Sequence, residues 1–489
     1  MKKRGTKVFR KVLICILVFA VIFTGVFFGV QYFTKTGIFK IPGVVHYGDN
    51  LTEAEIAIFD NIFNEEVVLD KDVLIDARET LELPEFKNNE YLYEVYVPVT
   101  DFYSAETTIS AETVADLDTA TLIPLSELDF SKKLLAINDK YYLDEFTTGA
   151  KFRIISFESE KFAEEIEPLV KTDMAKTYPT KDSVLTFAQT GVTALSRGMN
   201  AKLKKVGGDA KFFAEQIGPW LSSFDITHTS NESSFTDYAT DANICSDKRF
   251  IDTLTAIGLD VVELTGNHNQ DCGNQAALDT IDTYEQNGIK MVGGGRNVTE
   301  AKVPLELSQK NTNITMLAFN QSTGGATRGA TPGANQYYED VAAEQIKAAK
   351  DKGDFVIVDI QYYECSAYAS EYEDPICDYA NSSAGDQIGF FRHLIDLGAD
   401  VVVGTSAHQA QTYELYGNGV IYYGLGNLFF DQIWWPGTTR SLVLAHYFYN
   451  GKLLQTKLVP TVYGKDMQTK LLDAETSKWW IERLAKIHP

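Results

Sequence analysis

From Val184 to Tyr423, short apolar runs alternate with helical stretches that stop at glycine, and this alternation constrains the fold more than any other feature of the chain. The strand candidates are Val184–Ala188, Phe224–His228, Asp260–Leu264, Lys290–Val292, Ile314–Phe319, Phe355–Ile360, Val401–Val403 and Val420–Tyr423. Helices fall between them. Gln275–Asn287 carries Ala277, Leu278, Ile281 and Tyr284 on one face, and Gly288 stops it. Val341–Lys352 and Asp386–Leu397 behave alike, before Gly353 and Gly398. Strands alternating with helices of this length predict a largely parallel or mixed α/β sheet covered on both faces.

The segment before this alternation has its own texture. An apolar run from Val12 to Phe33 carries no charge. As a helix it would reach about 33 Å at ~1.5 Å per residue, enough to cross a bilayer core. Lys2, Lys3, Arg4, Lys7, Arg10 and Lys11 precede it, which puts residues 1–11 inside the cell and everything after Phe33 outside. A cleaved signal peptide would have a shorter apolar core and a small-residue cleavage site, and this run has no Ala-x-Ala. The expectation is a single-pass protein of the cell membrane. Residues 46–171 read as a small α/β domain with no constellation that suggests chemistry. Residues 184–462 form the main domain and 463–489 a helical tail.

The formal net charge of −23 argues against nucleic acid, which needs a basic footprint. Four cysteines, Cys245, Cys272, Cys365 and Cys377, lie beyond the apolar run. An even number in an external compartment predicts disulfides. Nearest-neighbour pairing gives Cys245–Cys272 and Cys365–Cys377, although three pairings are possible.

In open α/β sheets, ligands bind beyond the carboxyl ends of the strands. The tips here carry Gly191-Val192, Asn231-Glu232, Gly266-Asn267-His268, Gln361, and Gly404-Thr405-Ser406-Ala407-His408. Each residue alone has an ordinary structural reading: a loop acid, a turn-forming Asn, a hydrogen-bonded His. Their joint placement at different tips predicts that Glu232, Asn267, His268 and His408 face one cleft. His46, His228, His393 and His446 read as structural.

From about Val184 to Val459 the chain resembles the bacterial capsule-synthesis family, the CapA or PGA_cap proteins of the calcineurin-like metallophosphoesterase superfamily. The matching pieces are Asn231-Glu232, Gly266-Asn267-His268 with Gly273, Gly293–Asn297, Leu397–Gly404 leading to His408, and Gly424–Gln432. The resemblance implies a metallophosphoesterase-like two-sheet α/β sandwich, following the small α/β domain and the transmembrane helix. It implies His268 as the catalytic group and Glu232, Asn267 and His408 as metal ligands. Arg197, Asp271, Arg296 and Asp431 become candidates for supporting those groups or touching substrate. Family members are associated with poly-γ-glutamate capsule synthesis and anchoring, so capsule polymer and polymer synthase are the implied partners.

Three positions depart from the family pattern. Val192 stands where the family has Asp, and Gln361 and Ser406 stand where it has His. Val cannot ligate, and neutral amide and hydroxyl oxygens replace imidazole poorly. The expectation is therefore a degenerate site, holding one divalent ion (Mn, Zn or Mg) or none, in a protein that binds or assembles. The alternative is an extracellular metal-dependent hydrolase acting on a phosphoester or a γ-glutamyl amide.

Overall fold

The computed structural model describes residues 43–64, 67–116, 121–174, 176–322, 324–362 and 386–487. The expected membrane span and the pair Cys365–Cys377 lie outside the described residues. Among the described residues, no helix is long and apolar enough to cross a membrane. These residues form two compact units. One runs through Val99 and adds Thr108–Leu128 and Leu134–Pro179; the other holds Thr100–Thr107, Asp129–Lys133 and Thr180 onward.

The first unit is built on a mixed sheet. Its strands lie in the order Val45–Tyr47, Val73–Thr80, Lys151–Glu158, Glu90–Asp101 and Leu122–Pro124. The first pair is parallel and the rest antiparallel. Helix Glu53–Ile62 starts with a capping box: the Thr52 side chain accepts from the Glu55 N–H, and the Glu55 carboxylate accepts from the Thr52 N–H. Phe59 from this helix packs on Phe157 from the sheet in an edge-to-face contact.

The second unit contains two large sheets. The first runs Lys290–Val292, Val261–Glu263, Ile226–Asn231, Leu185–Thr193, Arg440–Tyr449, Lys452–Val462 and Lys470–Leu471. Its first four strands are parallel, and Arg440–Tyr449 joins them antiparallel. The second runs Leu305–Gln309, Thr312–Asn320, Phe355–Gln361, Val401–Gly404, Gly419–Tyr422 and Tyr413–Tyr416. Its three inner pairings are parallel.

Side-chain alternation along the strands assembles three apolar layers. Leu185, Phe187, Ile226 and Val261 of the first sheet share one core with Ile314, Met316, Ile357, Val401 and Val403 of the second. The opposite face of the first sheet, with Ala188 and Val262, packs on helical Leu203, Leu254 and Ile281. The opposite face of the second, with Val356, Val358 and Val402, packs on Ile346 of helix Glu339–Lys352 and on Phe391 and Leu394 of helix Gln387–Asp396. The two sheets therefore face each other, with helices outside both. Helix Ala474–Ala485 adds Trp480 and Leu484 to the central core.

Cys245 and Cys272 form a disulfide with Cα atoms 6.0 Å apart across a sequence separation of 27. Cys272 caps helix Gly273–Gln286 and directly follows the loop that carries Asn267 and His268. Closing a loop of this length removes about 3.5 kcal/mol of chain entropy from the unfolded state. The Cys245→Ala/Cys272→Ala variant is expected to lose about that much stability in urea denaturation. An unchanged midpoint would show that the bridge does not constrain the unfolded chain.

Candidate functional site

The carboxyl ends of the parallel strands in both sheets bring together residues far apart in sequence. Glu232 follows strand Ile226–Asn231, and its N–H donates to the Thr193 carbonyl at 2.9 Å. Gly266 is required beside it, since a Cβ there would come within 2.7 Å of Glu232 Cα. Asn267 is next in the chain. From the second sheet come Gln361, which ends its strand, and Ser406 and His408, which follow Val401–Gly404.

Glu232, Gln361, Ser406 and His408 are all buried, and Asn267 is partly exposed. Gln361 links them: its Nε2 donates toward Asn267 Oδ1 at 2.9 Å, Ser406 Oγ at 3.0 Å and Glu232 Oε1 at 3.2 Å. His408 Nε2 lies 3.8 Å from Glu232 Oε2. The His408 ring is fixed from its other side. Asn427 donates through Nδ2 to the Thr438 carbonyl and Gln432 Oε1, so its Oδ1 accepts from His408 Nδ1 at 2.8 Å. Nδ1 thus carries a proton, and Nε2 is the nitrogen turned toward Glu232.

The remaining candidates are placed differently. His268 shares the Asn267 loop, but its Nδ1 is 2.7 Å from Asp271 Oδ2, and no contact ties its ring to the Gln361 cluster among the described residues. Asp431 pairs with Arg197, at 2.6 Å, and accepts from the Gly198 N–H at 2.9 Å, rather than bonding a histidine. Arg197 adopts a positive φ of 48° and lies over the Phe430 ring, which in turn packs against His408. Arg296 is held away from the cluster by Glu285, Asp282 and Glu300. The hydrogen bonds it donates to Glu285, foremost, raise its already high pKa further.

A second polar layer lies one step deeper in each in-facing column, and nothing in the motif reading singles it out. Gln189 follows Phe187, His228 follows Ile226, Glu263 follows Val261 and Asp359 follows Ile357, each two residues on and on the same strand face. His228 Nε2 is 3.1 Å from Asp359 Oδ2, and both side chains are fully buried. Gln189 donates to Asp359 at 2.6 Å, and His446 Nε2 meets Gln189 Oε1 at 3.1 Å. Glu263 accepts from the Thr265 N–H at 2.6 Å, which ties it to the start of the Asn267 loop. The available signal was positional: polar residues at in-facing steps of otherwise apolar strands.

Glu232 Oε1, Asn267 Oδ1 and His408 Nε2 have the chemistry of metal ligands, but the donor set around them does not fit a metal. The group at its centre is an amide N–H, which cannot ligate. Among the described residues, no three His, Cys, Asp or Glu side chains are gathered as a cage for an ion.

Residues 186–432 match the family described as bacterial capsule synthesis protein PGA_cap, about half of the chain. The chain belongs to this family. The PGA_cap segment takes in all five strand tips. The capsule biosynthesis protein CapA of Bacillus anthracis is 25% identical over 319 residues, covering 60% of this chain and 74% of that protein. The PGA biosynthesis protein CapA of Bacillus subtilis is 27% identical over 290 residues, covering 58% and 72%. A probable polyglutamine synthesis accessory protein of Mycobacterium tuberculosis is 29% identical over 194 residues, covering 37% and 48%.

Proposed function

We propose that this PGA_cap protein serves in the synthesis or export of a capsular poly-γ-glutamate, binding the polymer or its synthase rather than turning a substrate over. The observation that carries the reading is the family match across residues 186–432, which spans every residue of the Gln361 cluster. The relatives named for capsule and PGA biosynthesis support it. Residues 12–33 would anchor the chain in the cell membrane with residues 34–489 outside, where a capsule is assembled. The facing sheets, with polar residues at the strand tips, would be a metallophosphoesterase-like sandwich put to a non-hydrolytic use.

The hydrolase alternative calls for a metal that polarises the scissile group and generates hydroxide near neutral pH. The amide at the centre of the tip cluster argues against it. The test is genetic and topological. Deleting the gene is expected to lower cell-bound polyglutamate, with restoration by the full chain but not by a chain lacking residues 1–33. Protease added to intact cells is expected to digest the large domains. Unchanged polymer in the deletion strain would overturn the assignment, and a fully protected chain would overturn the topology.

A further inference from the structure

Three oxygens from three different strand tips surround one nitrogen in this site. Asn267 Oδ1, Ser406 Oγ and Glu232 Oε1 stand 2.9, 3.0 and 3.2 Å from Gln361 Nε2, and the Gln361 side chain is fully buried. A carboxylate only accepts hydrogen bonds. Glu232 therefore fixes the orientation of the amide, because turning it over would set Gln361 Oε1 against a carboxylate oxygen. Gln361 Oε1 itself has no hydrogen-bond partner among the described residues, so the amide is held by its nitrogen end. The centre of the cluster demands an electropositive group, and this chain supplies that group itself.

We propose that Gln361 takes the place of a cation, and that this residue keeps the site free of bound metal. The separations are hydrogen-bond lengths, whereas zinc and magnesium hold their oxygen ligands at about 2.0–2.2 Å. Admitting an ion would require the amide to rotate, breaking all three contacts at once inside a buried cluster. Ser406 would then offer only a neutral hydroxyl, a weak ligand for zinc or manganese. Two imidazoles in these positions would reverse the preference, supplying lone pairs that point at the same centre. A role in polymer assembly neither requires this arrangement nor follows from it, so the two can fail separately.

The test is calorimetric titration of the full-length chain in detergent with zinc chloride and with manganese chloride. The wild type is expected to show no binding that depends on Asn267. Gln361→His/Ser406→His is expected to bind at least about tenfold more tightly, and Asn267→Ala in that background should reverse the gain. Wild-type binding of either ion in the micromolar range that Asn267→Ala abolishes would overturn the proposal. So would a double variant with native circular dichroism and no gain. If the double variant does not fold, the wild-type titration decides alone.

Discussion

At pH 8, Glu263→Gln is expected to be more stable than the wild type by about 4 kcal/mol, and at pH 5 by about 1 kcal/mol or less. Glu263 is fully buried, and burial first, then the Asp359 carboxylate, push its carboxyl from 4.5 up to about 8. The unfolded chain ionises this group near 4.5. Between about 4.5 and 8 the unfolded state therefore holds fewer protons than the folded state. Stability falls across that window by about 1.4 kcal/mol per pH unit and levels off above it. Glutamine keeps the acceptor for the Thr265 N–H without ionising, so the slope disappears. His446 acts on the opposite side. Burial first, then His228, pull its imidazole from 6.5 down to about 3, so its contribution is lost as pH falls below about 6.5. The two slopes cancel between about 4.5 and 6.5, where the polar layer is most stable. Urea denaturation at pH 5, 6.5 and 8 measures this directly. Equal wild-type and variant stabilities at pH 8 would remove Glu263 as the source.

The parallel strands and outer helices were legible because their periodicities are clean. Phe355–Ile360, read as a strand, is observed as Phe355–Gln361, and Val341–Lys352, read as a helix, as Glu339–Lys352. The first strand runs on to Thr193 instead of ending at Ala188. Gly191, placed at the first tip, lies within this strand, and it is glycine because a Cβ there would come within 2.1 Å of the Gly426 carbonyl oxygen. The hairpin Arg440–Tyr449 and Lys452–Val462 went unread, although Asn450-Gly451, both at positive φ, is a strong turn signal. His446 and Gln455 face inward and blur the apolar alternation that marks a strand. The site divides in the same way. Glu232, Asn267 and His408 could be named from their tips, because each tip has a recognisable order of residues. The hub at Gln361 could not, since it read only as a lost ligand. Its role comes from three oxygens that converge in space and from no local pattern.

In the first unit the largest loss is expected from Arg153→Met, about 3–5 kcal/mol. Arg153 sits mid-strand, where sequence alone places a solvated charge, yet it is buried. Its guanidinium grips Glu55 with two bonds, at 2.5 and 2.6 Å, and donates to the Asn50 carbonyl at 2.9 Å. Glu55 has a second duty as the acid of the Thr52 capping box. Burial pushes the Glu55 carboxyl upward, and the bonds from Arg153 and Thr52 more than reverse this, holding it below its ordinary value. Removing Arg153 leaves that carboxylate buried without its cation, which costs far more than the ion pair contributes when intact. Adding Glu55→Gln should therefore recover most of the loss, because glutamine keeps the cap and carries no charge. A double variant no more stable than Arg153→Met would mean that the arginine acts through packing of its aliphatic stem rather than through its charge. Urea midpoints of the wild type and the two variants distinguish the two outcomes.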